Sequence, residues 1–161
     1  MTPGDRLRQT WERLSPLPLG SKLFDIAFGF MVPYTGSMGA NVEELRPGYA
    51  RMVLRDRRGV RNHLKSVHAI ALANLGEATS GLAMNVGLPP GVRAIVTKLE
   101  VEFLKKARGT LTAECHAQIP ADLVPGVDQD QDVVAEIKNE AGDVVARFTA
   151  RWRVGLVQTN Q

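Results

Sequence analysis

Residues 66–84 read Ser66-Val67-His68-Ala69-Ile70-Ala71-Leu72-Ala73-Asn74-Leu75-Gly76-Glu77-Ala78-Thr79-Ser80-Gly81-Leu82-Ala83-Met84, and the fold turns on them. Small and apolar residues occupy every side of the helix this run predicts, and Glu77 is its one formally charged side chain. Such a helix cannot lie on a protein surface, because its outward face would have nothing to cover it. It must be wrapped by other elements. A membrane span is the competing reading. Glu77, Asn74, His68 and two glycines, inside a stretch barely long enough to cross, argue against it.

Downstream of this run the sequence alternates. Ile95, Thr97, Leu99, Val101 and Phe103 share one predicted face, with Lys98, Glu100 and Glu102 on the other. Leu111, Ala113, Cys115, Ala117 and Ile119 oppose Thr112, Glu114, His116 and Gln118. Val144, Ala146, Phe148, Ala150, Trp152 and Val154 oppose Arg147, Thr149, Arg151 and Arg153. One dry face and one wet face is the pattern of an antiparallel sheet. Asn139 to Asp143 supply a turn into the last strand from 133–138, and 120–131, with Pro120, Pro125 and Gly126, reads as an exposed loop.

Upstream, 38–45 and 49–55 flank Arg46-Pro47-Gly48 as a hairpin whose Ala50, Met52 and Leu54 face one side. Leu7, Trp11 and Leu14 recur at helical spacing, predicting a short amphipathic helix over residues 1–14. Residues 22–32 predict a second helix or an extended lid, stopped by Pro33; its Phe24, Phe28, Phe30 and Met31 read as core. The class is therefore α+β, a curved antiparallel sheet around a central helix. Residues 1–34 form an N-terminal helical extension packed on a domain at 35–155, and 156–161 a disordered tail.

A chain of 161 residues, 44% hydrophobic and 23% charged, suits one ordered domain and excludes an intrinsically disordered one. The net charge of +3 is a small excess, and nine aromatic residues are not interleaved with the basic ones, which excludes nucleic acid as the expected partner. The single cysteine, Cys115, rules out an internal disulfide framework and a multi-cysteine zinc site. Three scattered histidines add no metal site. The first residues lack the apolar core of a secretory signal. The expectation is a cytoplasmic protein with no membrane partner.

Over roughly residues 35–154 the sequence resembles the hotdog fold of acyl-CoA thioesterases, in particular the 4-hydroxybenzoyl-CoA and phenylacetate-pathway-like branch. The specific part is Asn62-His63-Leu64-Lys65-Ser66-Val67-His68-Ala69, then Glu77, then Val96 to Leu104 and the corner Lys105-Lys106-Ala107-Arg108-Gly109. In that family an Asn stands six residues before a His-Gly pair, and an acid nine residues after the His. Asn62, His68 and Glu77 match; Ala69 stands where glycine is usual. The resemblance implies thioester hydrolysis of an acyl-coenzyme A with no cofactor, coenzyme A being part of the substrate. It also implies a homodimer or dimer of dimers in which Glu77 of one subunit faces Asn62 and His68 of the other.

That chemistry needs a base or nucleophile and a fixed donor for the oxygen that becomes anionic. Glu77, among Leu75, Ala78 and Leu82, is the candidate base, since lost solvation raises a carboxyl's pKa. The Ala69 amide, at the positive end of the central helix, is the candidate oxyanion donor. His68 and Asn62 are candidates for orienting the thioester or water, and Thr97 for lining the acyl pocket. Each also has a plain structural reading: Glu77 as a paired buried carboxyl, His68 as a helix-terminus histidine satisfied by a carbonyl, Asn62 as a loop holder. Arg58, Arg61, Lys105, Lys106 and Arg108 sit in two basic clusters suited to the phosphates of coenzyme A, or else to solvent. The alternatives are a non-catalytic acyl or acyl-CoA binder and, ranked lower, a hydratase or dehydratase.

Overall fold

The computed structural model describes residues 2–157. Helix α1 (Pro3–Leu14) starts on a reciprocal cap: the Asp5 N–H donates to Thr2 Oγ1, and the Thr2 N–H donates to Asp5 Oδ2. Those bonds to Thr2 hold the Asp5 carboxyl below its ordinary range. Leu7, Trp11 and Leu14 then face the core. Helix α2 (Gly20–Met31) follows, so the second apolar stretch is helical. Its inner side buries Phe24 and Phe28, whereas Phe30 is 83% exposed and Met31 also faces out. These last two are not core, because a helix has one inner face and Phe24 and Phe28 fill it. A short α3 (Pro33–Met38) begins on proline and ends on Gly39 in the left-handed region.

Strands β1 (Asn41–Arg46) and β2 (Tyr49–Leu54) form the hairpin, and Ala50, Met52 and Leu54 are fully buried. The central helix, α4 (Ala69–Gly87), is followed by β3 (Val92–Phe103), β4 (Leu111–His116), β5 (Gln129–Lys138) and β6 (Val144–Leu156). All pairings are antiparallel, in the order β1-β2-β4-β5-β6-β3, and α4 packs on all six strands. This is the hotdog architecture. It forms because α4 has no charged face to offer water except at Glu77, and the dry sides of alternating strands can close around it. The buried hydroxyls of Thr79 and Ser80 donate back to the carbonyls of Leu75 and Glu77, so neither is left unpaired. Among the described residues no helix is long and apolar enough to cross a membrane.

Four readings of the sequence change. First, α4 is not wrapped on every side: Ile70, 57% exposed, begins a stripe continued by half-buried Asn74, Glu77 and Gly81. Second, β3 changes parity. Val96 pairs with Trp152 and Lys98 with Arg151, so Thr97 is an extra residue in a bulge. Val92, Ala94 and Val96 therefore share the inner face with Leu99, Val101 and Phe103, and Ile95 points outward beside Arg153. Third, β5 begins at Gln129, inside the expected loop. Asp130 and Asp132 sit opposite Arg153 and Arg151 and accept paired guanidinium hydrogen bonds at 2.7–3.1 Å, which hold a polar segment in the ladder. Fourth, β6 runs through Leu156, which pairs with Val92, and the Val157 N–H donates to the Gly91 carbonyl; residues 158–161 of the expected tail lie outside the described residues.

Candidate functional site

The chain enters α4 through a tight loop. Asn62 Oδ1 accepts from the N–H groups of Leu64 and Ser66, and the Asn62 N–H donates to the Ser66 carbonyl. Lys65 takes a left-handed φ of 54° inside this turn. The loop is tied to the corner after β3, because Ser66 Oγ and the Val67 N–H both donate to the Ala107 carbonyl. His68 caps α4: its Nδ1 accepts the Ile70 N–H at 3.1 Å. It is satisfied by an amide rather than by a carbonyl. Ala69 is the first helical residue, and its N–H has no acceptor among the described residues.

Glu77 lies two turns further along. Its carboxyl borders a cavity of about 360 Å³ with apolar walls that include Phe28, Leu82, Val92 and Trp152. Burial pushes its pKa up, with no opposing charge to bring it down. No ion pair or hydrogen bond reaches the carboxylate among the described residues, so it is not the paired buried acid of the plain reading. Gly81, one turn on, leaves room on this side: a Cβ there would sit 3.2 Å from the Trp152 ring and 4.0 Å from Glu77 Oε1.

One chain does not assemble these groups in one place. Eight residues separate Ala69 from Glu77, about 12 Å along the helix axis. Asn62 and Ala69 border a small recess of about 170 Å³ shared with Phe103, Lys105 and Lys106. His68 and Arg61 border another, of about 230 Å³, with Asn74. Thr97 is exposed at the β3 bulge, where its Oγ1 donates to the Arg151 carbonyl, and it borders none of these cavities. Two further polar residues sit between the recesses. Buried Thr35 donates to Asn74 Oδ1 at 3.0 Å, and the pair links the His68 recess to the Glu77 cavity. Asn74 stands one turn before Glu77, a signal the sequence offered. Thr35, on α3, gave none.

The two basic clusters converge beside the α4 N-terminus. Asp56 binds Arg61 Nε at 2.6 Å and accepts the Gly109 N–H, which fastens 51–65 to 105–109 and holds the Asp56 carboxyl below its usual range. Lys105 pairs with Asp143 at 2.9 Å. Arg58, Lys106 and Arg108 are exposed and have no carboxylate partner among the described residues. No group of three or more His, Cys, Asp or Glu side chains placed to hold a metal ion occurs among the described residues.

Comparison with known proteins places this geometry. A family model described as Domain of unknown function (DUF4442) matches residues 20–154. The chain belongs to that family. No curated protein matched the DUF4442 chain in the sequence comparison. Among solved structures it is similar to a structural-genomics crystal structure whose name states no function, at 28% identity and a TM-score of 0.80 over 94% of this chain and 99% of the other. A protein of unknown function from Pseudomonas aeruginosa, called a probable thioesterase, is 21% identical with a TM-score of 0.72, over 87% and 97% of the two chains. A variant of the phenylacetic acid degradation protein PaaI from Thermus thermophilus is 20% identical with a TM-score of 0.63, over 75% and 97%. These likenesses establish the hotdog fold of the DUF4442 chain.

Proposed function

We propose that this DUF4442 protein is an acyl-CoA thioesterase, acting on a water molecule and a thioester held between two copies of the chain. The observation that carries the reading is Glu77: the sole charge on α4, unpaired, and raised in pKa by burial at the mouth of an apolar cavity. Its carboxylate serves as general base, or as nucleophile, toward the thioester carbonyl. With water, a C–O bond forms, the C–S bond breaks, and the proton taken from water passes to the departing thiolate. The Ala69 N–H of the partner copy stabilises the oxyanion, and His68 and Asn62 position the thioester. Arg58, Lys106 and Arg108, none in an ion pair among the described residues, offer positive charge to the coenzyme A phosphates. The names of the structural relatives support the same reaction class.

A second copy is needed because Glu77 and the α4 N-terminus of one chain are too far apart to share a thioester. The edge strand β3 supports that copy's location. Its inner-face Leu99 and Phe103 stay 48% and 53% exposed, an apolar face beside an unpaired edge. Glu77→Gln tests the mechanism. Thiol release from acyl-CoA drops by about 10²–10⁴-fold if Glu77 is the base, with the fold intact by circular dichroism. Unchanged turnover removes Glu77 from the reaction. Tight binding of acyl-CoA without thiol release by the wild type favours a binder.

A further inference from the structure

Helix α1 builds a wall of the Glu77 cavity, yet it lies outside residues 20–154, the segment that the family model matches. Thr2, Pro3, Gly4 and Leu7 line the cavity together with Val92 to Ile95 of β3. The wall is fixed in place. Gly4 rests so closely on the Asn85 carbonyl that a Cβ there would strike its oxygen. The Thr2–Asp5 cap holds the first turn, and Trp11 meets Phe24 edge-on at 5.0 Å between ring centroids. Asn85 stands eight residues past Glu77, about 12 Å along α4, so the first turn of α1, at Gly4, meets the cavity well away from the carboxylate.

We propose that α1 sets the upper size of the acyl group, with Leu7 as a specificity-determining residue; this rests on the thioesterase reading. The space is a half-open cleft of about 360 Å³. At roughly 30 Å³ for a water-sized group, it holds on the order of ten heavy atoms. The walls near Phe28, Leu82, Val92 and Trp152 are apolar, so the ligand is a medium-length hydrocarbon acyl chain rather than a short or strongly polar one. A longer chain meets Leu7 and the first turn of α1. Since α1 adds this stop from outside the matched domain, a relative lacking it keeps the hydrolytic groups and accepts longer chains.

The test uses full-length protein and two opposed substitutions, Leu7→Ala and Leu7→Trp, against straight-chain acyl-CoAs of 2 to about 16 carbons. Wild type shows a maximum in kcat/KM at medium length. A pocket change of this size moves discrimination by about tenfold or more. Leu7→Ala shifts the maximum to longer chains by at least that ratio, and Leu7→Trp shifts it to shorter ones. Loosening of α1 alone cannot produce the shortening. In parallel, calorimetry of the same proteins with free straight-chain fatty acids reads cavity size without turnover. Opposed shifts in binding with no hydrolysis by the wild type uphold the wall and refute the thioesterase. Hydrolysis with the same length profile in all three proteins refutes the wall. Absence of both hydrolysis and fatty-acid binding overturns both.

Discussion

Gly76→Ala sets two effects of opposite sign against each other at the centre of the molecule. Helix propensity favours the change by about 1 kcal/mol, since glycine loses more backbone freedom on folding than alanine. Packing opposes it. A Cβ at residue 76 would lie 2.5 Å from Phe148 Cβ and 2.8 Å from Phe148 Cδ2. Carbon atoms rest about 3.5–4.0 Å apart, so about 1 Å of overlap must be relieved. Phe148 cannot swing clear: it is fully buried in β6, held between Val101 of β3 and Ala135 of β5. The helix must lift instead. Overpacking costs about 1–3 kcal/mol, and a neighbour with no free space puts this site at the upper end. Less the propensity gain of about 1 kcal/mol, the net loss is about 2 kcal/mol, or a fall in Tm of about 4–8 °C at this chain length. Glu77 moves with the helix, and a displacement of about 1 Å in a catalytic group lowers turnover by about 10²-fold. Urea and thermal unfolding, followed through the two tryptophans, give the stability. A Gly76→Ala protein as stable as wild type would refute the close α4–β6 contact and the argument built on it.

Three further outcomes follow from the site. Because burial raises the folded pKa of Glu77, its stability contribution is fully present below its unfolded value, near 4.5, and is lost as pH rises through the folded one. Glu77→Gln should therefore be more stable than wild type at neutral pH while losing turnover, and wild-type kcat/KM should fall on acidification with a midpoint above 4.5. A midpoint at or below 4.5, or a less stable variant, counts against the buried unpaired carboxylate. His68→Ala removes the α4 cap and should cost about 1 kcal/mol in urea unfolding; His68→Asn should restore stability but not activity, and equal stability of all three proteins would contradict the cap. Lys106→Ala with Arg108→Ala should raise KM for an acyl-CoA several-fold and leave KM for the matching N-acetylcysteamine thioester unchanged. An equal rise for both substrates would mean that these side chains do not meet the nucleotide end.

The core was legible because its physics is periodic. A helix with a single charge and strands with one wet face leave few ways to bury what must be buried, and α4, β2, β4 and β6 follow directly. The bulge at Thr97 was not legible, since an added backbone residue leaves the list of apolar side chains unchanged and only shifts which of them turn inward. The first residues of β5 were hidden for a different reason. Gln129-Asp130-Gln131-Asp132 looks like loop until each aspartate is set against its arginine on β6, and that information lies about twenty residues away in the chain. The candidate site residues were chosen by their resemblance-based spacing. The cavity that gives Glu77 its setting was not found that way, because its far wall comes from α1 and nothing in a linear reading brings Leu7 near residue 77.

The cap at His68 also fixes the placement of a proton. While Nδ1 accepts the Ile70 amide, that nitrogen cannot carry hydrogen, so the neutral ring is the Nε2–H tautomer and shows its surroundings only a donor. A helix start thus assigns the chemical sense of an imidazole. A ring in this state can polarise a carbonyl or steady an oxyanion, but it cannot take a proton from water without first giving up the helix cap. In the proposed mechanism, base and electrophile are thereby divided between Glu77, within α4's open stripe, and His68, just ahead of the helix, and the division is enforced by the same hydrogen bond that begins the helix.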